Sequence, residues 1–316
     1  MASEEHKQLA HFLKNVHLCL RKASTKEGAE EAWRQHCENK DVLKHYAQCM
    51  EKLATTHWTA STTREHSSVT SRITWAAEFC YDYFINKGYI SHRQKDIEIS
   101  EKINITCDVD ECHSQPIKLI DVGSCYNPFQ CYDFFDVTAI DLYPANNSVL
   151  QCDFLKVLTG HNTKISDMKV DQIQEKYFDV VTFCFLLEYI PTSELRIKAC
   201  EKAYNIVKYG GLLIINTPDS KHVGANSKIM KCWQYTLANI GFTRIKYEKF
   251  KHMHCMAFRK ASCKDIAQRW ASLHRKPYMQ YALHIPQDFN DNTEETIYSQ
   301  EIKIEVEDFM ELPFHE

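Results

Sequence analysis

The sequence predicts an α/β fold: a doubly wound, mostly parallel sheet with one reversed strand, preceded by an N-terminal helical domain. Three observations predict it. From Ile117 onward, short and nearly continuous apolar runs (IKLIDV, DVTAIDL, FDVVTFCFLL, LLIINT) alternate with stretches of helical spacing. That is the pattern of parallel strands covered on both faces by crossover helices. The last two runs, FTRIKYEKF and HMHCMAFRK, are joined by a connection too short for a parallel crossover, so the sheet closes with a reversed strand near Cys255. Residues 1–92, finally, carry apolar residues at helical spacing and no strand-like run.

Taken in order, the helical domain (1–92) contains three amphipathic stretches, LAHFLKNVHLCL, EEAWRQHCENKDVLKHYAQCMEKLA and SRITWAAEFCYDYFI. Between the second and third, TTHWTASTTREHSSVTS is rich in Ser and Thr and reads as a loop or hinge. Residues 93–116 are charged with little apolar periodicity and read as an exposed linker. The sheet domain (117–285) includes the helix SELRIKACEKAYNIVKYGG, expected to stop at Gly210 and Gly211, and another from about Asn226 to Ile240, ending at Gly241. Residues 286–316 read as an acidic, flexible tail.

At 44% hydrophobic and 25% charged, the 316 residues describe a soluble globular chain of one or two domains. No apolar run reaches the roughly 18 residues of a membrane span, and MASEEHKQ lacks the apolar core of a secretory signal. A cytosolic or nuclear protein is expected. The 14 cysteines are scattered without a CxxC pair, so free thiols are expected. Cys107, Cys112 and His113 come nearest to a metal cluster, but their spacing in an acidic stretch suits an exposed loop better than zinc. A net charge of −4 argues against a surface that grips nucleic acid everywhere. Charge is nonetheless uneven. Lys221 to Lys276 holds thirteen Lys or Arg against Glu248 and Asp265, whereas Asp288 to the end holds ten acids against Lys303. The basic stretch offers a surface to an anionic partner, nucleic acid or an acidic protein, and the tail would compete for it.

The loop LIDVGSCYNPF locates the candidate site. Asp121 ends the first strand and Gly123 begins the turn, where a ligand of such a sheet binds. A dinucleotide needs G-x-G-x-x-G for its pyrophosphate, and Ser124, Cys125, Tyr126, Asn127 and Pro128 supply none of those glycines. A nicotinamide oxidoreductase therefore fits poorly. A ligand with ribose and adenine but no phosphate needs one close backbone approach, which Gly123 allows. Asp141, eighteen residues after Gly123, stands where an acceptor for ribose hydroxyls belongs. Asp153, at the end of a short third strand, is placed to accept from an adenine amino group while Phe154 packs on the ring. Glu188 and Tyr189 either face the pocket mouth or serve as a helix start and core. His252 and His254 share a strand face, as a metal pair or as lining of the cleft.

As a set, LIDVGSCYNPF, IDLYPA, CDFL, PTSELR, NTPDSKH and KHMHCMAFRK resemble the class I S-adenosylmethionine-binding proteins, a family that includes large-subunit rRNA adenine methyltransferases and S-adenosylmethionine sensors of TOR signalling. The likeness runs from about Trp33 to Lys260. It implies a class I methyltransferase-like Rossmann fold in which Gly123, Asp141, Asp153 and Phe154 contact S-adenosylmethionine and Cys184, ending the fourth strand, lines the pocket. S-adenosylhomocysteine would be the competing ligand. The resemblance also suggests that Arg72, before TWAAEF, reaches the ligand, where a guanidinium pairs bidentately with the methionine carboxylate. Two functions follow from it. A sensor would bind a GATOR-type GTPase-activating complex and a KICSTOR-type scaffold when S-adenosylmethionine is low, restrain TOR complex signalling from the cytoplasm or the lysosome surface, and be released by the ligand. An enzyme would methylate an adenine ring nitrogen. Amino-directed enzymes of this fold carry Asn/Asp-Pro-Pro-aromatic after the fourth strand. Here the stretch reads CFLLEYIP, which argues against exocyclic amine methylation and says less about a ring nitrogen.

Overall fold

A computed structural model of the chain describes residues 4–58, 71–106, 109–219, 225–250 and 253–289. Residues 59–70 of the expected hinge, Cys107, His252 and the tail beyond 289 lie outside them. Three helices open the chain, α1 (Glu4–Glu27), α2 (Ala29–Glu38) and α3 (Lys40–Lys52), the last continued by a π turn over Leu53–Trp58. The second amphipathic stretch forms two helices and breaks at Asn39, whose side chain accepts from Val42 N. Asn favours this local bond over a helix interior and so restarts the helix as a cap. α4 (Arg72–Cys80) begins after Ser71, which caps Ile73 N, and passes into a π turn over Tyr81–Ile85.

The expected linker is not one. α5 spans Tyr89–Lys102 and buries Asp96 and Ser100, and Glu111 further on is buried as well. These acids are inside because Arg259, fully buried, needs them. Its Nε donates to Asp96 at 3.1 Å, its Nη2 to Glu111, and its Nη1 to Gly210 O at 3.0 Å. A guanidinium with this many partners is tolerated inside, and the network fastens α5 to the sheet.

The strands are β1 (Ile117–Val122), β2 (Phe135–Asp141), β3 (Leu150–Gln151), β4 (Leu158–Gly160), β5 (Lys164–Ser166), β6 (Lys169–Gln174), β7 (Phe178–Cys184), β8 (Val207–Pro218), β9 (Phe242–Phe250) and β10 (Met253–Lys260). They form one sheet in the order β4-β6-β3-β2-β1-β7-β8-β10-β9, with β5 beside β6. From β3 to β8 all pairs are parallel, and β10 runs antiparallel to both β8 and β9. The reversed strand thus contains Cys255, as expected. The β4–β6 insert, with antiparallel β5, has short, largely exposed strands and gave no apolar run to find. Three helices complete the fold: α6 (Ser193–Ile206), α7 (Ala225–Ile240) and α8 (Lys264–His274). α6 stops four residues before Gly210, because Val207 is extended and already paired with Phe178.

Successive strand residues face opposite layers. Ile120, Leu213 and Ile215 enter the core under α2, α6 and α7 with Trp33, Ala199 and Trp233, whereas Leu119, Leu212 and Ile214 meet Ile73, Trp75 and Ala76 of α4. Both faces are buried, which is why the runs were nearly continuous. The segment after α8 crosses back over α7 and α6. Trp233 Nε1 donates to His284 O at 2.7 Å, and Asp288, in a 3₁₀ turn (Pro286–Phe289), pairs with the buried Arg196. Residues 286–289, expected in the flexible tail, are therefore held. No helix among the described residues is long and apolar enough to cross a membrane.

Candidate functional site

The sheet changes winding direction between β1 and β7, and the ends of these strands leave a crevice there. Gly123 follows β1 with φ of +75°, and a Cβ there would lie 3.0 Å from Leu186 Cδ1. Its N–H and that of Ser124 donate to Ile140 O at 2.9 and 3.0 Å, turning the loop back over β2. At the end of β2, Asp141 accepts from Cys125 N and Tyr143 N, both at 3.1 Å. Burial raises its carboxyl to about 6 against those two bonds, which lower it. Asp121 is buried beside it, takes the Thr182 hydroxyl, and is also raised by burial.

A cleft open to solvent at its mouth is lined by Gly123, Asp141, Phe154, Cys184 and Arg72 together. Five of the six expected residues thus meet in one place. Arg72 is the first residue of α4, and its guanidinium sits 4.9 Å from the centre of the Phe185 ring. Phe154 is mostly buried, edge-on to Phe183 at 5.8 Å. Cys184 donates to Asn216 Oδ1 at 3.3 Å, and burial holds its thiol well above the usual range. Asp153 differs. It does not line the cleft, because its carboxylate takes the indole N–H of Trp33, the thiol of Cys37 at 3.5 Å and Leu155 N at 3.0 Å.

The wall that the sequence did not reveal comes from α2 and α3: Trp33, Leu43, Tyr46, Ala47 and Met50. Helical periodicity marks such residues as buried and cannot say against what. Tyr189, left open above, lines the cleft too. Its hydroxyl is 2.5 Å from His36 Nε2, and its ring is 5.0 Å from that of Tyr46, whose hydroxyl is 2.8 Å from His17 Nε2. Burial, the main cause, lowers His17 to about 3 and His36 to about 4. Glu188 turns away from the lining, takes the Thr217 hydroxyl and is raised by burial to about 7. His254 is buried between Asp219 and Tyr247, 2.9 Å from each, while its expected companion His252 is outside the described residues.

The basic stretch is not one continuous face. Arg259 and Lys260 are buried, and Lys246 and Lys249 pair with Glu248 and Asp219 at 2.9 and 2.7 Å. Lys228, Lys231, Lys264, Arg275 and Lys276 remain exposed on or just beyond α7 and α8. His113, from the supposed exposed cluster, packs between Phe84 and Tyr89.

Comparison with known proteins follows the same outline. The Bmt2 family profile, described as 25S rRNA (adenine(2142)-N(1))-methyltransferase, matches residues 87–279. Proteins described as "S-adenosylmethionine sensor upstream of mTORC1" are 35% identical in Xenopus tropicalis, over 93% of this chain and 79% of theirs. The Danio rerio protein of that description is 33% identical over 91% of this chain and 77% of its own. Among solved structures, the N-methyltransferase NodS from Bradyrhizobium japonicum, in complex with S-adenosyl-l-homocysteine, aligns at 12% identity and a TM-score of 0.31. That alignment covers 54% of this chain and 86% of NodS, a likeness too slight to bear on this chain.

Proposed function

The chain belongs to the family that holds the Bmt2 methyltransferases and the S-adenosylmethionine sensors upstream of mTORC1, and from that premise we propose that it binds S-adenosylmethionine and reports its level to TOR complex signalling. In this reading Gly123 admits the ligand backbone-close and Asp141 accepts from the ribose hydroxyls. Asp153 accepts from the adenine amino group, Phe154 meets the ring, Cys184 lines the far wall, and Arg72 pairs with the methionine carboxylate. S-adenosylhomocysteine, which shares all these groups but the methyl, competes for the same place. Residues 117–285 form the ligand-binding unit, and residues 1–92 supply Arg72 and the helical wall.

One observation carries the reading: the cleft is walled from both units, with Arg72, Trp33 and Tyr46 facing Gly123 and Asp141. A ligand seated there touches both and shifts the equilibrium between their arrangements by its differential affinity for the two. Moving such an equilibrium from 1:99 to 99:1 takes about 5.5 kcal/mol, within reach of a charged pair and several hydrogen bonds. In the low-ligand arrangement the protein binds a GATOR-type complex and a KICSTOR-type scaffold in the cytoplasm or at the lysosome surface, and the ligand releases it.

Methyl transfer to an adenine ring nitrogen, the activity in the Bmt2 description, would use the same ligand contacts. Transfer also needs groups that hold an acceptor in line. After β7, Glu188 and Tyr189 are instead engaged with Thr217 and His36, which favours the sensor. Calorimetric titration with S-adenosylmethionine and S-adenosylhomocysteine, followed by a radiolabelled transfer assay on total RNA and protein, separates the two. Binding without transfer is expected. Labelled RNA that disappears in Asp141→Ala would make the protein an enzyme.

A further inference from the structure

The carboxylate of Asp153 is contested. Trp33, 4% exposed on α2, donates its indole N–H to Oδ2 at 3.1 Å and to Oδ1 at 3.3 Å. Cys37, one turn further along α2, adds its thiol to Oδ2 at 3.5 Å, and Leu155 N adds a bond to Oδ1 at 3.0 Å. Three donors thus already share the two oxygens, and the indole N–H, divided between both, is the one that engages each of them. The residues flanking Asp153 (Cys152, Phe154 and Leu155) line the cleft together with Trp33, whereas Asp153 itself does not. The indole therefore stands between the cleft and the acid.

We propose that Trp33 is the residue that sets how readily the ligand is bound: its indole N–H occupies the carboxylate that the ligand's amino group requires, so seating the ligand displaces Trp33 and loosens α2 from the sheet. The inference rests on the S-adenosylmethionine reading and on the amino-accepting role of Asp153 within it. Two donors cannot share one acceptor direction, so the ligand gains only the difference between its own bond and the indole's. α2 is also tied to the sheet domain by His36 to Tyr189 and by Glu30 to Lys198 at 2.7 Å, contacts that must stretch or break when the helix moves. A tryptophan holding an acid 120 residues away thereby links the recognition of adenine to the position of the helical unit.

The test is calorimetric titration of the full chain and of Trp33→Phe, which keeps an aromatic ring and removes the N–H. Two ligands are compared: S-adenosylhomocysteine, and S-inosylhomocysteine, in which the amino group is replaced by oxygen. Trp33→Phe is expected to bind the adenosyl ligand about three- to tenfold more tightly and the inosyl ligand no more tightly than the wild type does. Equal or weaker adenosyl binding, or an equal gain for both ligands, overturns the proposal and identifies Trp33 as a support that only orients Asp153. Should Trp33→Phe fold poorly, hydrogen exchange in wild-type residues 29–38 serves instead, with faster exchange on adding S-adenosylhomocysteine expected and slower or unchanged exchange fatal to it. If the wild type binds neither S-adenosylmethionine nor S-adenosylhomocysteine, the functional reading fails along with this inference. Wild-type binding without the Trp33 effect removes the inference alone.

Discussion

Replacing Glu188 by glutamine removes a buried charge while keeping its shape, and the consequence can be worked out from its surroundings. One carboxylate oxygen accepts the Thr217 hydroxyl, and the other is buried with no hydrogen-bond partner among the described residues. Burial outweighs the Thr217 bond and the charges of Arg196 and Arg21, and lifts the carboxyl from 4.5 to about 7. The folded protein therefore holds this proton more tightly than the unfolded chain does. Below about pH 4.5 the group is neutral in both states and costs nothing. Between pH 4.5 and 7 stability falls, and above pH 7 the full cost, about 3 kcal/mol at 1.36 kcal/mol per pH unit of displacement, is present. Glu188→Gln escapes the cost, since its amide oxygen still accepts from Thr217. Urea unfolding at pH 4 and pH 8 is expected to show no difference from wild type at the lower pH and a gain approaching 3 kcal/mol at the higher. A variant less stable than wild type at pH 8, or a gain independent of pH, would show that Glu188 is not a carboxylate paying for its burial.

The His17 and His36 imidazoles, lowered to about 3 and 4 by burial, act in the opposite sense: stability is full above about pH 6.5 and declines as the pH falls toward 4, and His36→Gln should flatten that decline in thermal scans. Arg72→Ala loses the stacking on Phe185 and the proposed carboxylate pair, so ligand affinity should drop about ten- to a hundredfold in calorimetry and ligand should no longer release the partner complex. Unchanged affinity and release would refute the two-unit mechanism. Gly123→Ala forces a side chain into the left-handed region and within 3.0 Å of Leu186, at about 1–2 kcal/mol of stability by denaturant melts. Gly123→Asp should also abolish ligand binding while leaving the partner complex formed. Arg259→Met leaves Asp96 and Glu111 buried without their cation, and should cost about 3–5 kcal/mol in the same unfolding assay.

Much of the sheet is legible in the sequence because its signals are local. A strand buried on both faces writes its apolar run into consecutive residues, and a short connection excludes a parallel neighbour. The site's sheet side is legible for the same reason: Gly123 and Asp141 sit at the ends of adjacent strands, within eighteen residues of each other. Arg72 was reached only through the resemblance, since nothing around it distinguishes a cleft arginine from a solvated one at a helix start.

The tertiary structure alone decided the rest. Asp96 and Glu111 read as a solvated linker until Arg259, 163 and 148 residues distant, is found between them. Lys260 and Arg259 counted toward a basic surface, yet both are inside, satisfied by carbonyls or acids on other elements. Trp33 advertised only that it would be buried, not that its indole would hold Asp153. In each case the partner lies far along the chain. Hydrophobic period reports which face of an element leaves water, whereas the group that meets it depends on how the elements come to rest against one another.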